Sequence, residues 1–193
     1  MGRGSVRLFL GIDLPEPVRQ AIVSFRKAQQ GLPVRWLAPV GWHVTLVFIG
    51  KTRQTLLPDM QKLIEQTAAH HSSFSLSFHR YQWMPPTKPR MLWARFHTHP
   101  HFSLLAQELH QQITRYLTHH QHSTPPALHH PIVPHVTLAR TRNALPRPLP
   151  LGEAPAPPSL TVAGFHLFAS HLSPQGATYE KLASFMLSHH LPH

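Results

Sequence analysis

Residues 42–50 read WHVTLVFIG, and residues 132–140 read IVPHVTLAR. The tetrapeptide His43-Val44-Thr45-Leu46 of the first stretch returns unchanged in the second as His135-Val136-Thr137-Leu138. Histidine is abundant, with 19 in the chain, so about one H-x-T is expected by chance, and His122-Ser123-Thr124 fills that place. The full H-V-T-L string has a random expectation of roughly 0.01, and two copies one of about 10⁻⁴. Both copies sit in β-rich runs, where side chains at i and i+2 share a face. His43 and Thr45 therefore project together, with Val44 and Leu46 turned to a core, and His135 and Thr137 repeat the arrangement over Val136 and Leu138. The same strand in each half predicts two pseudo-symmetric lobes whose His/Thr pairs face each other across a cleft.

Outward from these strands, strand-like and helix-like segments alternate in each half. Residues 6–14 form a β-rich opening. They are followed by PEPVRQAIVSFRKAQQG, with prolines at a helix start, Val18, Ile22 and Phe25 at helical spacing, and Gly31 beyond the end. After the strand 42–49, residues 57–70 carry Leu57, Met60, Leu63, Ile64 and Ala68 on one helical face. Strands are expected at 74–83 and 90–97, a helix at 102–117, and strands at 132–139, 160–170 and 177–187. Residues 144–158 hold six prolines and read as an extended surface connection. The class is α+β with mainly antiparallel pairing, since parallel strands would need a long crossover at every step.

Composition narrows the chemistry. The chain has 193 residues, 41% of them hydrophobic, enough for a single domain or two small lobes around a real core. Eighteen Lys+Arg against seven Asp+Glu leave a charge of +11 with histidine neutral, which favours a polyanionic partner, nucleic acid before a membrane surface. Seven carboxylates leave little for a magnesium site or a paired-carboxylate hydrolase. The absence of cysteine excludes thiolate catalysis, disulfides and Cys-ligated zinc. No run approaches the roughly 18 apolar residues of a membrane span, and the short apolar run near the N-terminus reads as a strand rather than a signal peptide, so a cytoplasmic protein is expected.

Two imidazoles and two hydroxyls make a metal-free kit for phosphodiester cleavage. One neutral histidine can take a proton from the attacking hydroxyl while the other, protonated, supplies one to the leaving oxygen, both with an ordinary pKa near 6.5. The threonine hydroxyls can donate to non-bridging phosphate oxygens. Identical motifs do not reveal which histidine is donor and which acceptor.

The two H-V-T-L strings resemble the paired motifs of the two-histidine phosphoesterase superfamily. Residues 7–15, RLFLGIDLP, WHVTLVFIG, Pro134–Arg140 and the ending Phe165–Ser170 with Gly176 and Tyr179 are similar to its RNA 2′,3′-cyclic phosphodiesterases, also called 2′-5′ RNA ligases. The resemblance covers nearly the whole chain. It implies one two-lobed phosphoesterase domain over 1–193, a bilobal α+β fold of two antiparallel β-sheets flanked by helices, with the motif strands lining a central groove. It implies His43 as proton donor and His135 as proton acceptor in opening a terminal 2′,3′-cyclic phosphate to a 2′-phosphomonoester, with Thr45, Thr137 and Arg140 on the phosphate. By strand alternation Arg140 faces away from Thr137, so that role requires a bulge or a strand end. The expected partner is RNA with 2′,3′-cyclic phosphate ends, acted on by a monomer without metal, cofactor or ATP; no phosphate-binding glycine loop or nucleotidyl-transferring lysine motif is present. Three alternatives stand beside this one: reversible 2′-5′ ligation of tRNA half-molecules, a non-catalytic RNA-binding module, and a His-rich metal-binding protein.

Two further patterns stand apart from these motifs. His97, His99 and His101 would form an i, i+2, i+4 chelate if the preceding strand continued, against which Pro100 argues. Arg3, Arg7, Lys88, Arg90 and Arg95, interleaved with Trp83 and Trp93, could make a basic aromatic platform for single-stranded RNA, unless the tryptophans are simply core.

Overall fold

The computed structural model describes residues 4–29, 31–129, 131–173 and 176–188; Arg3 and His130 lie outside them. Ten strands and three helices are found among these residues. In chain order they are β1 (Ser5–Asp13), α1 (Glu16–Ala28), β2 (Arg35–Trp36), β3 (His43–Arg53), α2 (Leu57–Ala69), β4 (Phe74–Leu76), β5 (Phe78–Met84) and β6 (Met91–Phe96). Then follow α3 (Pro100–Gln121), β7 (His135–Arg140), β8 (Leu160–Val162), β9 (Gly164–Ser173) and β10 (Gly176–Met186).

Two antiparallel sheets flanked by helices are present, and they are very unequal. Eight strands form one sheet in the order β10-β9-β1-β3-β7-β6-β5, with β2 added to β7, while β4 and β8 make a two-stranded second sheet. The expected strands 74–83 and 160–170 each break once, at Ser77 and Ala163, and each gives its first three residues to the small sheet. Gly164 follows the second break because a Cβ there would lie 2.5 Å from the Phe185 carbonyl, an approach only glycine permits.

The motif strands β3 and β7 are neighbours in the large sheet and meet at one pairing, Val44 with Val136. They therefore lie side by side, and do not oppose one another across a cleft between separate sheets. Val44, Leu46, Val136 and Leu138 all turn into the core, as alternation requires.

The helices bury the expected faces: Val18, Ile22 and Phe25 on α1, and Met60, Ile64 and Ala68 on α2. Gly31 leaves α1 with φ +86, a conformation costly for any residue with a Cβ. Helix α3 is longer than periodicity indicates, since Pro100 sits in its first turn, where the missing N–H costs nothing, and polar residues extend its far end. Because the strand before it ends at Phe96, His97, His99 and His101 do not form a strand chelate. His97 instead packs on His79 and His99 stacks on Phe74, and among the described residues no three His, Asp or Glu side chains converge as metal ligands would.

The proline-rich 144–158 segment contains no regular element, yet it is anchored rather than merely superficial. The Trp83 indole N–H donates to the Leu149 carbonyl at 2.8 Å. The Gln29 amide makes two bonds to the Gly152 backbone, at 3.0 and 2.8 Å. Trp83 is buried by this strap, so it is core and not part of an RNA platform. No helix among the described residues is long and apolar enough to cross a membrane.

Candidate active site

One face of the large sheet, the turn at Pro39–Gly41 and the β9–β10 hairpin enclose a groove of about 820 Å³. His43, Thr45, His135, Thr137 and Arg140 all line it. The Val44–Val136 pairing explains why both motifs arrive at one place. Carried one step either way, that antiparallel register sets His43 across from Thr137 and Thr45 across from His135, with all four side chains on the same face.

The fourth residue of each motif does a further job. Against β1, Thr45 pairs with Gly11 and Val47 with Leu10, leaving Leu46 as an extra residue; against β6, Thr137 pairs with Trp93 and Ala139 with Leu92, leaving Leu138 extra. Each is a β-bulge, so two consecutive residues turn inward and the groove-facing position falls three residues after the threonine. That position is Phe48 on β3 and Arg140 on β7, and both line the groove. The bulge that Arg140 required is thus present, and the burial sequence over the first six residues is the same in both strands.

Each histidine is held in the same manner. His43 Nδ1 donates to the Gly41 carbonyl and His135 Nδ1 to the Val133 carbonyl, both at 2.8 Å. A carbonyl only accepts, so Nδ1 carries the proton in each ring and Nε2 is left to work in the groove. Aromatic neighbours fix the ring planes. Phe9 lies 4.6 Å from His43 and Tyr179 meets it edge-on at 5.1 Å, while Trp93 stacks on His135 at 3.5 Å with planes 15° apart. Trp93 is therefore a support for a histidine rather than an exposed base platform.

Both imidazoles are pushed below their ordinary pKa, chiefly by burial, with the carbonyl acceptor partly opposing this. Their remaining neighbours differ in sign. Asp13, paired with His43 across β1 and β3, raises His43. Arg95, paired with His135 across β6 and β7, lowers His135, as does His43. Asp13 is held by Lys181 at 2.6 Å and lies 3.5 Å from His166 Nε2.

The groove also contains residues that the sequence pattern did not single out. Arg35 on β2 pairs directly with Arg140 on β7, and both residues line the cavity. Like charges opposite one another destabilise a sheet, and none of the ion pairs among the described residues includes either arginine. The pair makes an anion-attracting wall. Arg35 stands alone in a two-residue strand, so no periodic signal marks it, and its place is set by a contact 105 residues away.

This groove gathers the duplicated His/Thr strands between cationic walls. Residues 14–174 match the 2′-5′ RNA ligase superfamily, and the chain belongs to it. It is 30% identical over 190 residues to the RNA 2′,3′-cyclic phosphodiesterase of Thermus thermophilus, covering 94% of this chain and 90% of that protein. A Bacillus subtilis protein of the same name is 25% identical over 185 residues, covering 93% and 96% of the two chains. The crystal structure of E. coli LigT in its apo form superimposes with a TM-score of 0.75 at 25% identity over 96% of this chain and 99% of LigT.

Proposed function

We propose that the protein is a metal-independent RNA 2′,3′-cyclic phosphodiesterase that opens a terminal 2′,3′-cyclic phosphate to a 2′-phosphomonoester in the cytoplasm. Family membership and the activity named for the Thermus and Bacillus relatives support the class, a phosphoric diester hydrolase. The observation that carries the mechanism is the convergence of two Nδ1-anchored histidines and two threonines on one cationic groove.

Water attacks phosphorus as His135 Nε2 takes its proton. The bond from phosphorus to O3′ breaks while His43 Nε2–H protonates that oxygen, leaving the phosphate on O2′. Thr45 and Thr137 donate hydrogen bonds to the non-bridging oxygens, and Arg140 with Arg35 offsets the charge that grows on them. The assignment of donor and acceptor rests on the neighbours: a proton shared between the rings favours His43, beside Asp13, over His135, beside Arg95. A 5′-hydroxyl in place of water would form a 2′-5′ linkage by the same steps.

The direct test is an oligoribonucleotide ending in a 2′,3′-cyclic phosphate, incubated in EDTA and chromatographed so that 2′- and 3′-phosphates separate. Full turnover to the 2′-phosphate is expected; dependence on added metal, or a 3′-phosphate product, would refute the mechanism.

Role assignment has its own test in the pH profile. Because burial lowers both imidazoles, the bell of kcat/KM is centred below the ordinary histidine value of about 6.5. Asp13 raises His43, so Asp13→Asn lowers it further, and the alkaline limb, where the acid loses its proton, moves to lower pH while the acidic limb stays. A shift of the acidic limb instead would exchange the two roles.

A further inference from the structure

The groove does not end at the histidines. Beyond Phe48, the same face of β1 and β3 continues through two directly opposed pairs, Arg7 with Lys51 and Ser5 with Arg53. Directly opposed residues share a face, and Arg7 lines the groove itself. Ser5, Lys51 and Arg53 line an adjoining concavity with His120 and His122 at the end of α3. Arg53 has a structural task there, since its guanidinium donates to the His120 carbonyl and so caps α3. Arg7 and Lys51 have none: both are exposed, they repel each other across the strands, and no ion pair among the described residues involves them.

On β3, Phe48 stands between this cationic pair and His43, and further apolar side chains rim the groove. Of the six large exposed hydrophobic side chains among the described residues, Val40 (90% exposed), Phe48 (59%), Leu172 (69%) and Tyr179 (37%) rim the groove. Apolar and aromatic surface beside regularly placed cations suits single-stranded nucleic acid, whose bases stack while its phosphates pair. The distance from Thr45 to Lys51 along β3 is no more than about 20 Å, the two bulges shortening it.

We propose that this extension is the track for the RNA strand that carries the reacting end: the base next to the cyclic phosphate lies on Phe48, and the phosphates upstream meet Arg7 and Lys51. It rests on the proposed activity and deepens it, making the substrate an oligonucleotide end rather than a free cyclic nucleotide. Nothing in the cleavage chemistry requires Arg7 or Lys51, so their effect separates the two substrates.

The experiment compares a short 5′-labelled oligoribonucleotide bearing a 2′,3′-cyclic phosphate with 2′,3′-cyclic AMP, in the native protein, in Arg7→Gln/Lys51→Gln and in Phe48→Ala. For the oligonucleotide, the slope of log KM against log salt falls by about 1.4 in the double variant, roughly 0.7 for each single-strand phosphate that no longer meets a cation. The ratio of oligonucleotide to mononucleotide KM rises roughly tenfold in the double variant, whereas Phe48→Ala raises KM for both substrates, since each carries the base that lies on Phe48. In the double variant, an unchanged slope or equal losses on both substrates overturns the track. Should the native protein open neither substrate, the activity reading fails by itself. Fluorescence anisotropy of the labelled strand then decides the track alone: a shallower salt dependence of binding in the double variant upholds it, and an identical one overturns it.

Discussion

His135→Ala and His43→Ala are each expected to lower kcat for cyclic-phosphate opening by at least about 10², the lower bound for losing a positioned general acid or base. KM changes little, since the threonines and arginines that face the phosphate remain. The double variant is expected to be only slightly worse than either single one, because an acid and a base that act in one step fail together. Single-turnover kinetics on a cyclic-phosphate oligonucleotide measures this without interference from product release. Neither side chain belongs to the buried core, so the thermal midpoint should be close to that of the native protein. Unimpaired turnover in both variants would remove the catalytic reading, leaving the RNA-binding module as the account of the groove.

The second large effect concerns Thr45 and Thr137. Valine keeps the β-branched shape that suits a strand and deletes only the hydroxyl, so Thr45→Val and Thr137→Val test hydrogen bonding and little else. A hydrogen bond to a charged partner contributes about 1.5–3 kcal/mol, so each variant should lose roughly 10- to 100-fold in kcat/KM. Serine in either position should restore most of it. Because the register sets each threonine across from the other motif's histidine, the two losses should be similar in size. Losses below about threefold in both would place the hydroxyls off the phosphate.

Much of this site is legible in the sequence, and the reason is local. Alternation along a strand is a property of the backbone, so the common face of His43 and Thr45, and of His135 and Thr137, needs no knowledge of the rest of the fold. The helical stripes of α1 and α2 are equally readable, their apolar residues recurring at the helix period. The strands at 74–83 and 160–170 are readable only as single runs. Their breaks at Ser77 and Ala163 exist because two segments far apart in the chain, β4 and β8, pair with each other. Trp93 and Trp83 show the same limit: sequence could offer them as a platform or as core, and only contacts with His135 and Leu149 distinguish their tasks.

By itself, the sequence determined that two histidines among nineteen stand apart and that each shares a strand face with a threonine. Tertiary structure decided the rest. It set the motif strands side by side through Val44 and Val136, and made Leu46 and Leu138 bulged so that Phe48 and Arg140 rejoin the groove face. It brought Arg35 to Arg140, and gave His43 an acidic neighbour and His135 a basic one. The division follows from range. Periodicity records what a residue does with its own strand or helix, whereas register, bulges and the electric field at an imidazole depend on which distant strand lies alongside.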